Sequence, residues 1–268
     1  MSGANASATA RSHLGKMIRR IFIVAAIVIS LQCRAFSQND AVRVLASNGV
    51  RPAIQALTRP AEGAIARPLA AQFNTTTVLR QKIDAGEPFD VAVLTAEAID
   101  GFIKSGKILP GSRADVGHVG IGVGVRSGAK KPDIRTVESM KSTLLAAKGI
   151  SYAQDGASRP FIEKMFAELG IADSVKSKIV LRQGSDASMA AVVAGEAELE
   201  ITLSSEIMQA PGMQLVGPLP DKFQNYVRFA AGVSTNSKNS DAAGALIKFL
   251  TNPKVAPIYK AKGIETGN

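Results

Sequence analysis

The sequence predicts an α/β fold with largely parallel sheets, and three observations predict it. Short strand-like runs alternate with helical runs along most of the chain. Several of the strand-like runs end in a small polar turn that opens a helix. The chain has 268 residues, 46% apolar and 20% charged, enough for one large domain or two lobes with cores of their own. That apolar share excludes a disordered chain, and 24 Gly with 12 Pro exclude a fibrous one.

Each element has a local reason. Val42–Ala46 reads as a strand, Ser47-Asn48-Gly49 as a turn, and Arg51-Pro52 as the first turn of a helix that Pro60 limits. Arg67–Phe73 reads as a second strand. Asn74-Thr75-Thr76-Thr77 then caps a helix through Ile83, stopped by Gly86. Phe89–Leu94 is a buried strand, and Ala96–Ser105 a helix ended by Gly106. Val119–Val125 alternates glycine with β-branched residues. The third glycine of a dinucleotide fingerprint is missing, so the run reads as a strand with one glycine face for close packing. Val137–Ala147 is helical, Ile150–Ala153 a strand, and Arg159–Leu169 an amphipathic helix ended by Gly170. Ile179–Leu181, Glu198–Leu203 and Tyr226–Val233 read as strands. Ala187–Ala194 and Ala242–Leu250 read as helices, with a short helix after Asn252-Pro253.

The charge is unevenly placed. Residues 1–37 hold Arg11, Lys16, Arg19, Arg20 and Arg34 and no acidic residue. Without those five of the 32 basic residues the net charge falls from +10 to +5. With no Lys/Arg block, that mild excess does not call for nucleic acid, and it attracts a small anion over a cation. Arg19-Arg20 precede Ile21–Leu31, eleven residues apolar except for Ser30. That is short of the roughly 20 needed to span a membrane, and with Ala35-Phe36-Ser37 it reads as a secretory signal cut after Ser37. The exported product is then expected to be periplasmic and soluble. Cys33 is the one cysteine and leaves with the signal, so the mature chain has no thiol for a disulfide, a metal or a nucleophile.

One theme recurs at the turns Ser47-Asn48-Gly49, Thr75-Thr76-Thr77, Ala157-Ser158 and Gly184-Ser185-Asp186. A helix N-terminus presents unpaired N–H groups and a partial positive charge. Each turn alone is an ordinary cap, but several meeting in one crevice make an anion site without a metal.

At these turns the chain resembles the periplasmic solute-binding proteins of the molybdate-binding type. The resemblance rests on Val44-Leu45-Ala46-Ser47, Thr75-Thr76-Thr77-Val78-Leu79 with Gln81–Gly86, Phe89–Leu94, Ala191–Glu198, Phe249–Pro253 and Lys262-Gly263-Ile264. It implies a type II periplasmic-binding architecture: two Rossmann-like lobes joined by two crossing strands. Lobe one would hold residues 38–118 and 233–268, lobe two residues 119–225, and residues 226–232 would be the return crossing strand. It implies a monomeric protein that holds its ligand by hydroxyls and backbone N–H groups, with no cofactor and no metal, and delivers it to a membrane ABC transporter permease. The positions that match are Ser47, Asn48, Gly49, Thr76, Thr77, Ala157, Ser158 and Ser185. Leu203 stands where the family has a tyrosine, and Gly156–Phe161 departs from the family's third loop. Asp186 puts a carboxylate beside the anion unless it faces away. Arg51 and Arg159 sit in or beside the turns, and a guanidinium suits a carboxylate, so the ligand is either a molybdate-like oxyanion or a small organic acid.

The competing reading is a periplasmic isomerase-like enzyme on the same scaffold, acting on a small polycarboxylate. Its base would be Asp155 or Asp186, with Arg159 or Arg51 orienting the substrate. His118, the one histidine after the signal, reads as a hydrogen-bonded structural residue. A sensor or adhesion module is disfavoured because no extra domain, linker or repeat is evident.

Overall fold

The computed structural model describes residues 41–267. The signal segment, Cys33 and the cut after Ser37 lie outside the described residues. The chain opens with β1 (Val42–Ser47), and a turn of 3-10 helix at Asn48–Val50 leads into α1 (Arg51–Ile65). The sequence predicts that Pro60 limits that helix, but the helix runs on to Ile65 with Pro60 inside it. Ala56 and Pro60 are both exposed, so the helical hydrogen bond that Pro60 cannot make falls on the solvent side, while Ala53, Leu57 and Ala61 keep a buried stripe in helical phase across it.

β2 (Leu69–Asn74) is followed by α2 (Thr76–Asp84), whose cap is the Thr75 hydroxyl accepting from the Val78 N–H. β3 (Val91–Thr95) runs straight into α3 (Ala96–Lys104). β4 is the long strand Ala114–Arg126. α4 (Val137–Ala146) starts in a capping box between Thr136 and Ser139. β5 (Ile150–Ala153), α5 (Arg159–Glu168), α6 (Ala172–Lys176), β6 (Ile179–Arg182), α7 (Ser185–Ala194) and β7 (Leu199–Leu203) follow. The chain then forms α8 (Ser204–Ile207), β8 (Met213–Pro218), β9 (Tyr226–Val233), α9 (Ser240–Leu250) and α10 (Ala256–Ala261). The sequence reading contains no counterpart of β8, α6 or α8.

Among the described residues the strands pair in the order β2-β1-β3-β9-β4-β7-β5-β6, with β8 on β4. The outer parts are parallel: β1 with β2 and β3, and β5 with β6 and β7. The middle is antiparallel, because β9 runs against β3 and β4, and β4 runs against β7 and β8. β4 joins the two parts. Its first half, Ala114–Gly120, pairs with β9, and Ile121–Gly124 pairs with β7. The glycine face packs closely: a Cβ on Gly122 would lie 2.9 Å from Leu215 Cδ1, and one on Gly124 would lie 2.8 Å from Ile207 Cγ2.

The helices cover both faces of the strands and bury a core that includes Val44, Leu57, Val93, Ile121, Tyr152, Phe166, Ile201 and Phe229. In each parallel part the carboxyl ends of the strands carry the turns into the helices, the usual place for a ligand in an α/β sheet. His118 is away from those turns. Its Nε2 lies 3.2 Å from Glu265 Oε2, and its backbone bridges to Glu265 in both directions. No helix among the described residues is long and apolar enough to cross a membrane.

Candidate functional site

Three of the four turns that the sequence singles out, at Ser47-Asn48-Gly49, Thr75-Thr76-Thr77 and Gly184-Ser185-Asp186, are joined by hydrogen bonds, in part through Asp155, whereas the bonds of Ala157-Ser158 stay within its own turn and helix. Ser47, at the end of β1, accepts from the Thr76 hydroxyl at 3.2 Å, and Thr76 Oγ1 in turn accepts from the Thr95 N–H at 3.4 Å. Asn48 Nδ2 donates to Ser185 Oγ at 3.0 Å, a contact between residues 137 positions apart. Ser47, Asn48, Thr76, Ser158 and Ser185 are all buried. Hydroxyl and amide groups of this kind lose water on burial, so a pairing scheme has to replace it.

Asp155 ties the turns together. Its Oδ1 accepts from the Gly184 N–H at 2.7 Å and its Oδ2 from the Thr75 hydroxyl at 2.5 Å. Its carbonyl accepts from the Thr77 hydroxyl at 2.9 Å. Gly184 has φ +78, a conformation that favours glycine, and this turns its N–H toward Asp155 at the start of α7. Ser47, Asn48, Thr76, Thr77, Asp155 and Ser185 thus form one linked cluster at helix N-termini from both parallel parts of the sheet.

The arginines divide. Arg51 Nη2 donates to Asn48 Oδ1, and to Asp186 Oδ2 at 2.7 Å, which places the guanidinium at the cluster. Its face lies over the Phe73 ring, with Cζ 5.9 Å from the centroid. Asp186 is therefore paired, with a side chain 66% exposed. Arg159 turns back along its own helix, donating to Glu163 Oε1 at 2.8 Å and the Gln154 carbonyl at 2.7 Å. No hydrogen bond of Arg159 reaches the other turns. Ala157 packs against the apolar core, and Gly49 seats its carbonyl on the Ser205 hydroxyl at 2.7 Å.

A groove of about 540 Å³ opens beside the cluster, lined by Asn48, Arg51, Gln55, Asp186, Glu206 and Gln209 among others. Glu206 Oε2 accepts from the Thr202 hydroxyl at 2.8 Å. Burial pushes its carboxyl up to about 7 against the hydrogen bonds from Thr202 and Ser185 and the charge of Arg51, with Asp186 adding to the rise. Behind α7, Glu200 is wholly buried, with Oε1 accepting from the Ser188 hydroxyl at 2.6 Å. Burial pushes it well above the usual carboxylate range.

Glu206 is the group that sequence reasoning missed. A signal for it exists, because Leu203-Ser204-Ser205 is a fifth strand end passing through small polar residues into a helix. Among the described residues no three His, Cys, Asp or Glu side chains are grouped to hold a metal ion.

Aconitate isomerase of a Pseudomonas species is 29% identical over 193 residues, which span 72% of this chain and 73% of that one. The periplasmic molybdate-binding protein of Azotobacter vinelandii superposes with a TM-score of 0.72 at 17% identity, over 85% of this chain and 100% of that one. The tungstate ABC transporter structure from Geobacter sulfurreducens superposes with a TM-score of 0.65 at 15% identity, over 84% of this chain and 100% of that one. Both structures share the mixed α/β fold of this chain. The family model for bacterial extracellular solute-binding proteins matches residues 42–265, nearly the whole described chain, and the protein belongs to that family.

Proposed function

We propose that the protein is a periplasmic solute-binding protein that captures a small anion between two lobes and passes it to a membrane ABC importer. Lobe one is residues 38–118 with 233–268, and lobe two is residues 119–225. The supporting observation is the linked cluster at the helix N-termini, with Asn48 to Ser185 and Thr75 to Asp155 joining residues of the two lobes. N–H groups in the first turns of α2, α5 and α7 have no intrahelical partner and favour negative charge. Ser47, Asn48, Gly49, Arg51, Thr76, Thr77, Ser158 and Ser185 contact the ligand. Arg159, paired along its own helix, contributes only positive potential.

A small organic acid is favoured over a tetrahedral oxyanion. Arg51 gives Nη2 to Asn48 and Asp186, and its Nε and Nη1 hydrogen-bond no protein group among the described residues. A ligand carboxylate that displaced Asp186 from Nη2 would meet a planar two-donor edge of the guanidinium, the geometry that suits a carboxylate. Lobe closure on the ligand adds contacts that the open form lacks, so the ligand stabilises the closed form and raises the melting temperature.

The test is a thermal-shift panel on residues 38–268 with molybdate, tungstate, sulfate, phosphate, citrate and aconitate. A clear rise with a carboxylate supports the reading, and silence across the panel rejects it. Native mass spectrometry of the purified protein would weigh any trapped ligand directly.

A second reading is an isomerase acting on a small polycarboxylate in the same cleft. It is favoured by the aconitate isomerase relative and by Glu206, a carboxyl at about 7 and so suited to proton transfer near neutral pH. Incubation with either isomer of aconitate separates the two: interconversion supports the enzyme, and binding without interconversion rejects it.

A further inference from the structure

The hydroxyls and arginine account for holding an anion, but they leave Glu206 without a role. Glu206 sits on α8 and lines the 540 Å³ groove together with Arg51, Asn48, Gln55 and Gln209. Its carboxylate accepts from the Thr202 hydroxyl at 2.8 Å and takes a second hydrogen bond from Ser185. Arg51 is ion-paired with Asp186 at 2.7 Å, and no cation among the described residues lies within ion-pair distance of Glu206. The charged groups that face it are Arg51 from α1, Asp186 from α7 and Glu200 from β7. One guanidinium therefore serves a neighbourhood of three carboxyls.

An anion entering this groove adds a further negative charge beside Glu206. Two like charges held close together cannot both stay ionised cheaply, so the protein carboxyl takes up a proton. Protonated, Glu206 changes from an acceptor into a donor, which is what an incoming carboxylate requires.

On the anion-capture reading above, we propose that Glu206 is a specificity-determining acid that donates a hydrogen bond to a ligand carboxylate beside Arg51, so that capture carries a proton into the site. The proton comes from solvent and goes to the Glu206 carboxylate, and no bond of the ligand is made or broken. Because burial already lifts Glu206 to about 7, only part of a proton is taken up per ligand at neutral pH and nearly a whole one at pH 8.5.

The experiment is isothermal titration of residues 38–268 with aconitate between pH 6.5 and 8.5, in buffers of different ionisation enthalpy, on the native chain and on Glu206→Gln. The native Kd should weaken toward tenfold per pH unit above pH 7.5, with uptake approaching one proton per ligand. Glu206→Gln carries the amide donor at every pH. It should bind with a Kd that changes less than twofold over the range, and at pH 8.5 at least tenfold more tightly than the native chain. Thr202→Val removes a hydrogen bond that favours the ionised form, so it should raise the Glu206 carboxyl further and move the onset of the native pH dependence upward. Equal slopes and equal proton counts in the native chain and Glu206→Gln would overturn the proposal and leave anion capture standing. Absence of binding to the native chain by aconitate, citrate and tungstate alike would overturn both.

Discussion

The Thr75 hydroxyl donates to the Asp155 carboxylate at 2.5 Å across 80 positions of chain. The other oxygen of that carboxylate takes the Gly184 N–H at 2.7 Å. A carboxylate of the protein itself therefore rests on donors at the N-terminal caps of α2 and α7, the kind of donor that would otherwise hold a bound anion. Its charge also stands against any second anion in the cluster.

Replacing Asp155 with Asn keeps an acceptor for Gly184 and removes the charge. Like charges about 5 Å apart repel by roughly 3 kcal/mol at an effective dielectric of about 20. Titration with citrate or aconitate should show Asp155→Asn binding at least tenfold more tightly than the native chain. Equal or weaker binding would mean that Asp155 contacts the ligand favourably.

Arg51→Lys keeps the positive charge but loses the planar fork. Its affinity for citrate or aconitate should fall by about 10- to 100-fold, while its affinity for tungstate, which lacks a planar acceptor pair, should fall less. The ratio of the two losses, read from paired titrations, reports whether the guanidinium meets a carboxylate.

Asn48→Ala removes the donor to Ser185 and the acceptor that orients Arg51, both inside a buried cluster. Leaving buried groups unpaired costs about 1–3 kcal/mol. Urea unfolding should show that loss, and anion affinity should fall with it.

Gly49 shows how tightly the first turn is packed. A Cβ there would lie 2.6 Å from Leu203 Cδ1 and 2.6 Å from Phe229 Cζ. Phe229 is wholly buried and cannot swing aside. Gly49→Ala should cost about 1–3 kcal/mol by overpacking and lower the melting temperature by about 3–10 °C. An unchanged melting temperature would contradict the packing described at Leu203.

Glu206 also gives stability a pH dependence. The folded carboxyl sits at about 7 against the usual 4.5, so folding takes up a proton between those values. That contribution is fully present below pH 4.5 and is lost as pH rises through about 7, with a total of up to about 3 kcal/mol. Glu200, raised by burial, acts in the same direction. Glu206→Gln and Glu200→Gln should each flatten the fall in denaturation free energy between pH 5 and 8.

Much of the architecture is legible in the sequence, because local rules agree with the fold there. Ile150–Ala153 and Tyr226–Val233 are short apolar runs whose predicted and observed ends coincide. Thr75 caps α2 as a threonine before a helical run should. Pro60 is misread because its local effect is outweighed by the buried stripe of Ala53, Leu57 and Ala61. Met213–Pro218 escapes notice because Gly212, Gly217 and Pro218 break its pattern, and its pairing with β4 is tertiary. At the site, the turns are visible as small polar runs. The seat of Asp155, the direction of Arg159 and the burial of Glu206 depend on partners far along the chain, and no local pattern encodes them.

On the anion-capture proposal, N–H groups from separate helix starts close around one anion. Amide-resolved NMR of residues 38–268 during titration with aconitate tests it most directly. The largest shifts should fall together on Asn48, Gly49, Thr76, Thr77, Ser158, Ser185 and Asp186, saturating at one ligand per chain. Shifts confined to one turn, or centred elsewhere on the protein, would contradict it.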